Sequence, residues 1–337
     1  IVIHDRDTGE KIPARVEVNH PARHRGIEIY QSSFDDGGST VRFKAIPMHV
    51  QTRAFDLEGK IGGASQLTRG TAPGSDQLTV EYTGLRVINV ENFAAEGLSG
   101  TDVRKVDLRE SIDASLGAAN KSTNKKDLRN VGPSVSYKLR DAAGQAREYI
   151  NYMQPLQLDG KYYFVSGMRG TPQEDFKYLR LPADENLAVD GFMQLRAALF
   201  NKANHAEIAH RFALDAIKGN DAQGKSQIQF EKSVQQLLGA FSEGGYAEIA
   251  KLIEASVPEK QRDKAAQTYI KIINGAAYQA DLLVREKTGV KAVSIEELVP
   301  GFLQDSLNAM SDLFFYGEPI YLQMTNYEQR EASGLQL

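Results

Sequence analysis

Cysteine is absent from all 337 residues, and so is tryptophan. Without thiols the chain has no disulfide framework, no thiolate-held zinc cluster and no cysteine nucleophile. A sulfur-poor surface suits an oxidising space such as the periplasm, but many cytosolic chains share the trait. Long apolar runs are missing too: no stretch approaches the ~20 apolar residues that a membrane-spanning helix needs. The chain opens on Ile1-Val2-Ile3-His4 without a signal peptide, which reads as a strand already in mid-domain and so as an excised piece. Charge of one sign is nowhere concentrated. The 40 basic and 44 acidic residues are interspersed, with a net charge of −4, so nucleic acid is a poor candidate partner. The nearest basic cluster, Lys121, Lys125, Lys126 and Arg129, also holds Asp127 and reads as a solvated loop.

Apolar residues make up 41% of the chain, enough for one substantial core and room for a second. Residues 1–188 read as β-rich. Apolar and polar residues alternate at Arg15–Val18, Gly26–Tyr30, Thr40–Phe43, Gln77–Tyr82, Arg86–Val90, Ser134–Leu139, Tyr149–Tyr152 and Lys161–Ser166. Turn clusters separate them, including Gly37-Gly38, Ile61-Gly62-Gly63, Asp141 to Gly144 and Leu158-Asp159-Gly160. Leu98 to Asn130 is charged and reads as a loop with at most one short element. Helical spacing then governs 189–317. Asp190 is placed to cap a helix bearing Phe192, Leu195 and Leu199. A second helix runs from Ser226 past Phe241 to Gly244-Gly245, and a short one follows from Tyr246 to Ser256. A long helix is expected over Glu259 to Lys287, and a last one over Ile295 to Phe315 with Pro300 near its first turn. Period two returns in 318–337, where Ile320, Leu322 and Met324 alternate with Tyr321, Gln323 and Thr325. The fold class expected is α+β: an antiparallel β-sandwich or open barrel-like domain, interrupted by an inserted α-helical subdomain and closed by a returning strand and exit segment.

Patterns for catalysis are weak. No Gly-x-Ser-x-Gly elbow occurs, and Gly132-Pro133-Ser134 reads as a turn before a strand. His205 and His210, five apart, diverge by ~140° around a helix and cannot share a metal; both read as surface residues. His20 and His24, on either side of Pro21, could converge on one ligand or simply flank a hairpin loop. Gly59 to Gly63 lacks the Lys-Ser/Thr ending of a phosphate loop and reads as a turn. Asp35-Asp36 and Glu174-Asp175 are adjacent pairs assigned to turns. Tyr149, Tyr152, Tyr162, Tyr163 and Phe164 sit where a sheet core needs them. Phe314-Phe315-Tyr316 reads as buried between helix and sheet, with an exposed docking edge as the alternative. No catalytic residue and no metal site are assigned, so no autonomous enzyme is expected.

Val18-Asn19-His20-Pro21, Gly26 to Ser39, Val131 to Pro155, Phe176 to Asp184 and Phe302 to Met324 together resemble the large periplasmic domain of ResB-type proteins of system II cytochrome c maturation. The resemblance implies a multi-pass parent in the bacterial inner membrane, with helices before residue 1 and another after Leu337 that this chain does not contain. It implies a ResC-type membrane partner and apocytochrome c as partners, and a role in delivering heme to a Cys-x-x-Cys-His motif for covalent attachment. It points to His20 as a heme ligand or apocytochrome-orienting residue, heme being held by the full complex and not tightly by this piece. The alternative is an independent periplasmic β-rich binding module with no part in heme attachment.

Overall fold

The structure, a computed structural model, describes residues 1–17, 20–48, 54–69, 76–92, 128–217, 225–291, 298–316 and 320–336. Every strand pairing among them is antiparallel. Strands β1 (Val2–His4) and β2 (Lys11–Pro13) form a small hairpin. Strands β3 (Ala22–His24) and β4 (Ile27–Asp36) form another, joined on its far side by the last strand, as described below.

The sandwich comes from inward alternation. On β5 (Thr40–Pro47), Val41, Phe43 and Ala45 are buried while Arg42 and Lys44 are partly exposed. β6 (Phe55–Lys60) pairs with β5 and bends at Ile61-Gly62 into β7 (Ala64–Arg69), which pairs with β8 (Asp76–Arg86). A short ladder joins β9 (Val90–Asn92) to β10 (Leu128–Asn130). β11 (Ser134–Arg140), β12 (Ala146–Tyr152), β13 (Leu156–Leu158), β14 (Lys161–Arg169) and β15 (Lys177–Pro182) complete a seven-stranded sheet with β7 and β8. Its order is β15-β14-β12-β11-β8-β7, with β13 lying against the start of β14. Val80, Tyr82, Val135, Tyr137 and Leu139 meet Val41 and Phe43 in one core. The rings of Phe43 and Tyr82 stack at 5.7 Å, and those of Tyr137 and Tyr149 at 5.3 Å. Gly59 lets this happen: a Cβ there would stand 2.1 Å from the Tyr82 ring.

Five helices among the described residues follow: α1 (Asp190–Phe200), α2 (His205–Ile217), α3 (Lys225–Ser256), α4 (Arg262–Thr288) and α5 (Phe302–Tyr316). Their apolar stripes do not close on themselves. Leu195, Leu199, Phe241, Ile273 and Leu307 share a core with Ile46, Met48, Phe164, Leu179, Leu181 and Tyr321 from the sheets. The chain then returns as β16 (Ile320–Glu328) on β5 and β17 (Glu331–Gln336) on β4. The result is α+β with a barrel-like antiparallel sheet, as the residue pattern predicts. Inside it, Asn151 donates to Tyr137 Oη (3.2 Å) and the Leu322 carbonyl (3.1 Å) and accepts from Ser166 Oγ (2.6 Å). One buried amide thus ties β12 to β11, β14 and β16.

Several local expectations are corrected. Arg15–Val18 forms no strand; only a bridge between Glu17 and His20 is present, and 18–19 lie outside the described residues. Asp190 does not cap α1. Asp184 captures the Gly191 N–H instead (2.9 Å) along with those of Asn186 and Ala188, leaving Asp190 to pair with Lys44 at 3.1 Å. The last helix starts at Phe302, not Ile295. Pro300 lacks an N–H and Gly301 is left-handed (φ 79°), so helix begins only beyond them; 292–297 are outside the described residues. Of Leu98 to Asn130, only 128–130 are described, and they are β10. Phe315 and Tyr162 are exposed, not buried, because each points away from the sheet–helix interface that covers its neighbours.

Candidate functional site

The histidines of the N-terminal segment take different jobs. β3 and β4 are joined by a two-residue turn, Arg25-Gly26, with φ of 50° and 82°. Two left-handed residues in succession match the twist of a hairpin, and glycine is the easy occupant. Arg25 is held there by ion pairs from Nε to Asp5 (3.0 Å) and from Nη1 to Asp7 (2.9 Å). Asp5 is buried. Its carboxylate accepts the Asp7 and Thr8 N–H groups at 3.0 and 3.1 Å and meets His24 Nε2 at 2.8 Å. The His24 contact, then the Thr8 N–H, holds the Asp5 carboxyl down at about 2. Asp5 therefore clasps the β1–β2 loop to the tip of the β3–β4 hairpin, and His24 is part of that clasp.

His20 stands apart from it. Its N–H donates to the Glu17 carbonyl (2.9 Å) and its own carbonyl accepts from the Glu17 N–H (3.1 Å), which closes a tight turn two residues before β3. Its side chain is exposed. The last strand comes to the same end of the molecule: β17 runs beside β4, with Gln336 opposite Tyr30. β3, which follows the His20 turn, and β17 thus flank β4 on its two sides.

The other histidines are placed differently from expectation in one case. His205 is buried, not a surface residue. Its Nε2 donates to the Leu199 carbonyl at 2.8 Å, one of the acceptors that the end of α1 leaves open, and burial lowers its pKa. His210 is exposed and pairs with Glu231 at 3.0 Å. His4 is exposed on β1, and His49 lies outside the described residues. No group of three His, Asp or Glu side chains among the described residues is placed to hold a metal ion.

The adjacent carboxylates are structural, and Asp35 and Asp36 end β4 instead of lying in a turn. Asp36 accepts from the Gly38 and Ser39 N–H groups, and Glu174 from the Gly170 N–H and the Thr171 hydroxyl. The side chain of Asp35 is not described. Ser134 is buried at the start of β11, within 3.5 Å of Asn89 Nδ2. Gly62, with φ 83°, sits in the turn between β6 and β7, where a Cβ would meet nothing within 4 Å.

Polar features that residue patterns passed over lie in the helical layer. Arg196 is buried and donates to the Pro47 carbonyl (2.6 Å) and the Met48 carbonyl. Its place beside Leu195 and Leu199 on an inner stripe was the available signal. Arg285 pairs with Asp281 one turn earlier (2.7 Å) and with Glu185 (2.8 Å). Asp305 takes Lys161 Nζ at 2.7 Å and the Tyr163 hydroxyl at 2.9 Å, pinning α5 to β14. A cleft of about 500 Å³ opens between Ile270, Asn274, Val299, Pro300 and Gln304, with Lys271 at its wall. None of these brings a nucleophile to a base.

The model of the ResB-like family matches residues 1–337. No curated protein and no solved structure matches the chain.

Proposed function

The chain belongs to the ResB-like family of cytochrome c biogenesis proteins, and from that premise we propose that it is the periplasmic part of a membrane subunit of the system II cytochrome c synthetase. In this reading it works with a ResC-type membrane partner and with apocytochrome c at the outer side of the bacterial inner membrane. Heme is cargo, received and attached by the whole complex. The chain contributes a scaffold and transforms nothing itself. The β-rich part (1–188) and the returning strand with its exit segment (318–337) form the unit that faces the partners, and the helical part (189–317) buttresses it.

The observation that carries this is the match to one family along the entire chain. Two features support it. No helix among the described residues is long and apolar enough to cross a membrane, and in this reading the anchors are helices of the parent protein. The last strand, β17, pairs with β4 from the N-terminal part of the chain, which suits a domain held between two anchors. His20, exposed on the turn before β3, is the residue we assign to heme ligation or to orienting apocytochrome. A neutral imidazole on a turn can reach iron without disturbing a core.

The test uses the full-length parent with its partner in membranes. His20→Ala should leave the protein folded and abundant while lowering covalent holocytochrome c several-fold and changing the heme absorbance spectrum of the complex. Normal attachment removes His20 from the mechanism. Holocytochrome c that persists when the parent is deleted overturns the whole reading.

A further inference from the structure

Five strands of six residues or more stand at sheet edges: β6, β7, β15, β16 and β17. Four are closed to further pairing in different ways. On β16 the Asn151 amide donates to the Leu322 carbonyl at 3.1 Å, Met153 Sδ accepts the Met324 N–H at 3.1 Å, and the register shifts between Met324 and Asn326. β15 ends in Pro182, and the Tyr316 hydroxyl of α5 already takes the Tyr178 carbonyl at 3.1 Å. β17 changes register at Gly334/Leu335, which interrupts its ladder. β6 alternates Asp56, Glu58 and Lys60, charges that repel an incoming strand edge.

β7 carries no such guard. From Ala64 to Thr68 it reads Ala-Ser-Gln-Leu-Thr, uncharged and without proline, and among the described residues only β8 pairs with it. Its free groups can be assigned. Tyr82 exchanges both main-chain bonds with Gly62 and Gly63 (2.8 and 2.9 Å). Counting back by twos along β8, Val80 and Leu78 face Ser65 and Leu67, their register partners. Ala64, Gln66 and Thr68 therefore point their N–H and C=O groups away from the sheet. The faces beside this edge differ. Leu67 and, across the bend, Leu57 are only partly buried against the sandwich core. Gln66 and Thr68 lie on the outer face, where Gln66 accepts from the Thr79 hydroxyl at 3.1 Å.

We propose that the outer edge of β7 receives an extended polypeptide as an added strand. The segment it suits alternates apolar residues, which would complete the seam at Leu57 and Leu67, with uncharged polar ones beside Gln66 and Thr68. Main-chain bonds supply most of the recognition, so the site tolerates many sequences. Resting on the cytochrome reading above, the natural occupant is the unfolded apocytochrome chain.

The test titrates this chain with reduced apocytochrome c and, separately, with a soluble peptide of alternating valine and threonine, and follows amide exchange. Slowed exchange at Ala64, Gln66 and Thr68 is expected with both. Thr68→Pro removes an outward N–H but no bond to β8. It should weaken binding about tenfold or more, while Thr68→Val binds as wild type and both variants keep the wild-type melting temperature. Apocytochrome that binds while protecting another edge overturns the β7 assignment and leaves the docking reading standing. Protection of β7 by the valine–threonine peptide alone keeps the edge and removes apocytochrome as its occupant. Protection by neither overturns the proposal, as does a Thr68→Pro variant that folds and binds normally.

Discussion

Arg196 carries its charge into the joint between helix α1 and the end of β5, where two carbonyls and the Phe200 ring, 5.5 Å away, surround it. Burial lowers its pKa to about 10, yet it remains protonated at neutral pH and its Nε finds no partner among the described residues. The residue is therefore a bolt whose removal strands two acceptors. Arg196→Met should cost roughly 2–3 kcal/mol, read as a lower midpoint in urea with an unchanged slope. Arg196→Lys, with one ammonium for two carbonyls, should recover only part. His205 and Asp5 give the molecule two separate acid responses. The His205 pKa is lower folded than unfolded, because burial disfavours its charged form. The unfolded chain thus binds the extra proton first, and stability falls as pH drops below the ordinary histidine value of 6.5. His205→Gln should flatten that part of the profile when unfolding free energy is measured from pH 7.5 to 5. Asp5 acts further down. Its carboxyl titrates at about 2 instead of 3.8, so its contribution is present above the higher value and vanishes as pH falls towards the lower. Asp5→Asn should be less stable at neutral pH and should lose the difference from wild type between those limits.

Among the elements, α3 shows how a backbone feature can be read from residues alone. Gly244-Gly245 breaks the helix, and Gly245 adopts φ 63° and ψ −146°. The pair is needed for packing as well as for the turn: a Cβ on Gly245 would stand 2.7 Å from the Cα of Ser311 on α5, whose hydroxyl accepts the Tyr246 N–H at 3.1 Å. Gly245→Ala should destabilise by about 2–3 kcal/mol, combining left-handed strain with overpacking. Gly239→Ala on the same helix meets nothing within 4 Å and should be neutral or better by thermal melt. The break was legible because paired glycines act locally. So were β5, β8 and β11, whose inward residues obey period two, whereas β14 is buried on both faces from Tyr163 to Gly167. What sequence did not disclose is contact across distance. Nothing near Asp190 announces that Asp184 would cap α1 first. Nothing near His24 announces that Asp5, nineteen positions earlier, would engage its ring. His205 read as a surface residue because its ring diverges from that of His210 around the helix, yet the ring is buried and bonds the open carbonyl at Leu199. His20 was singled out through family resemblance, and the structure places it, exposed, on a turn closed by Glu17.

At the scale of the whole molecule, helices and sheets are one body of packing. Met48 and Leu181 are covered by residues of α1 to α5, and Tyr321 on β16 joins the same core. β16 also pairs with β5 over most of its length, so the strand after the helices completes the sheet that begins before them. An inserted subdomain that could be lifted away would leave a polar surface behind; here it would uncover Ile46, Leu179, Leu181 and Tyr321 together. Replacing 190–316 with a short glycine–serine linker should therefore give a chain that binds hydrophobic dye, loses its near-ultraviolet circular dichroism and melts without a cooperative transition. The intact chain should unfold in one step by both fluorescence and circular dichroism. A soluble linker variant with a sharp melt would mean that the sandwich core around Phe43 and Tyr82 suffices alone, and that the helices serve the partners instead of the fold.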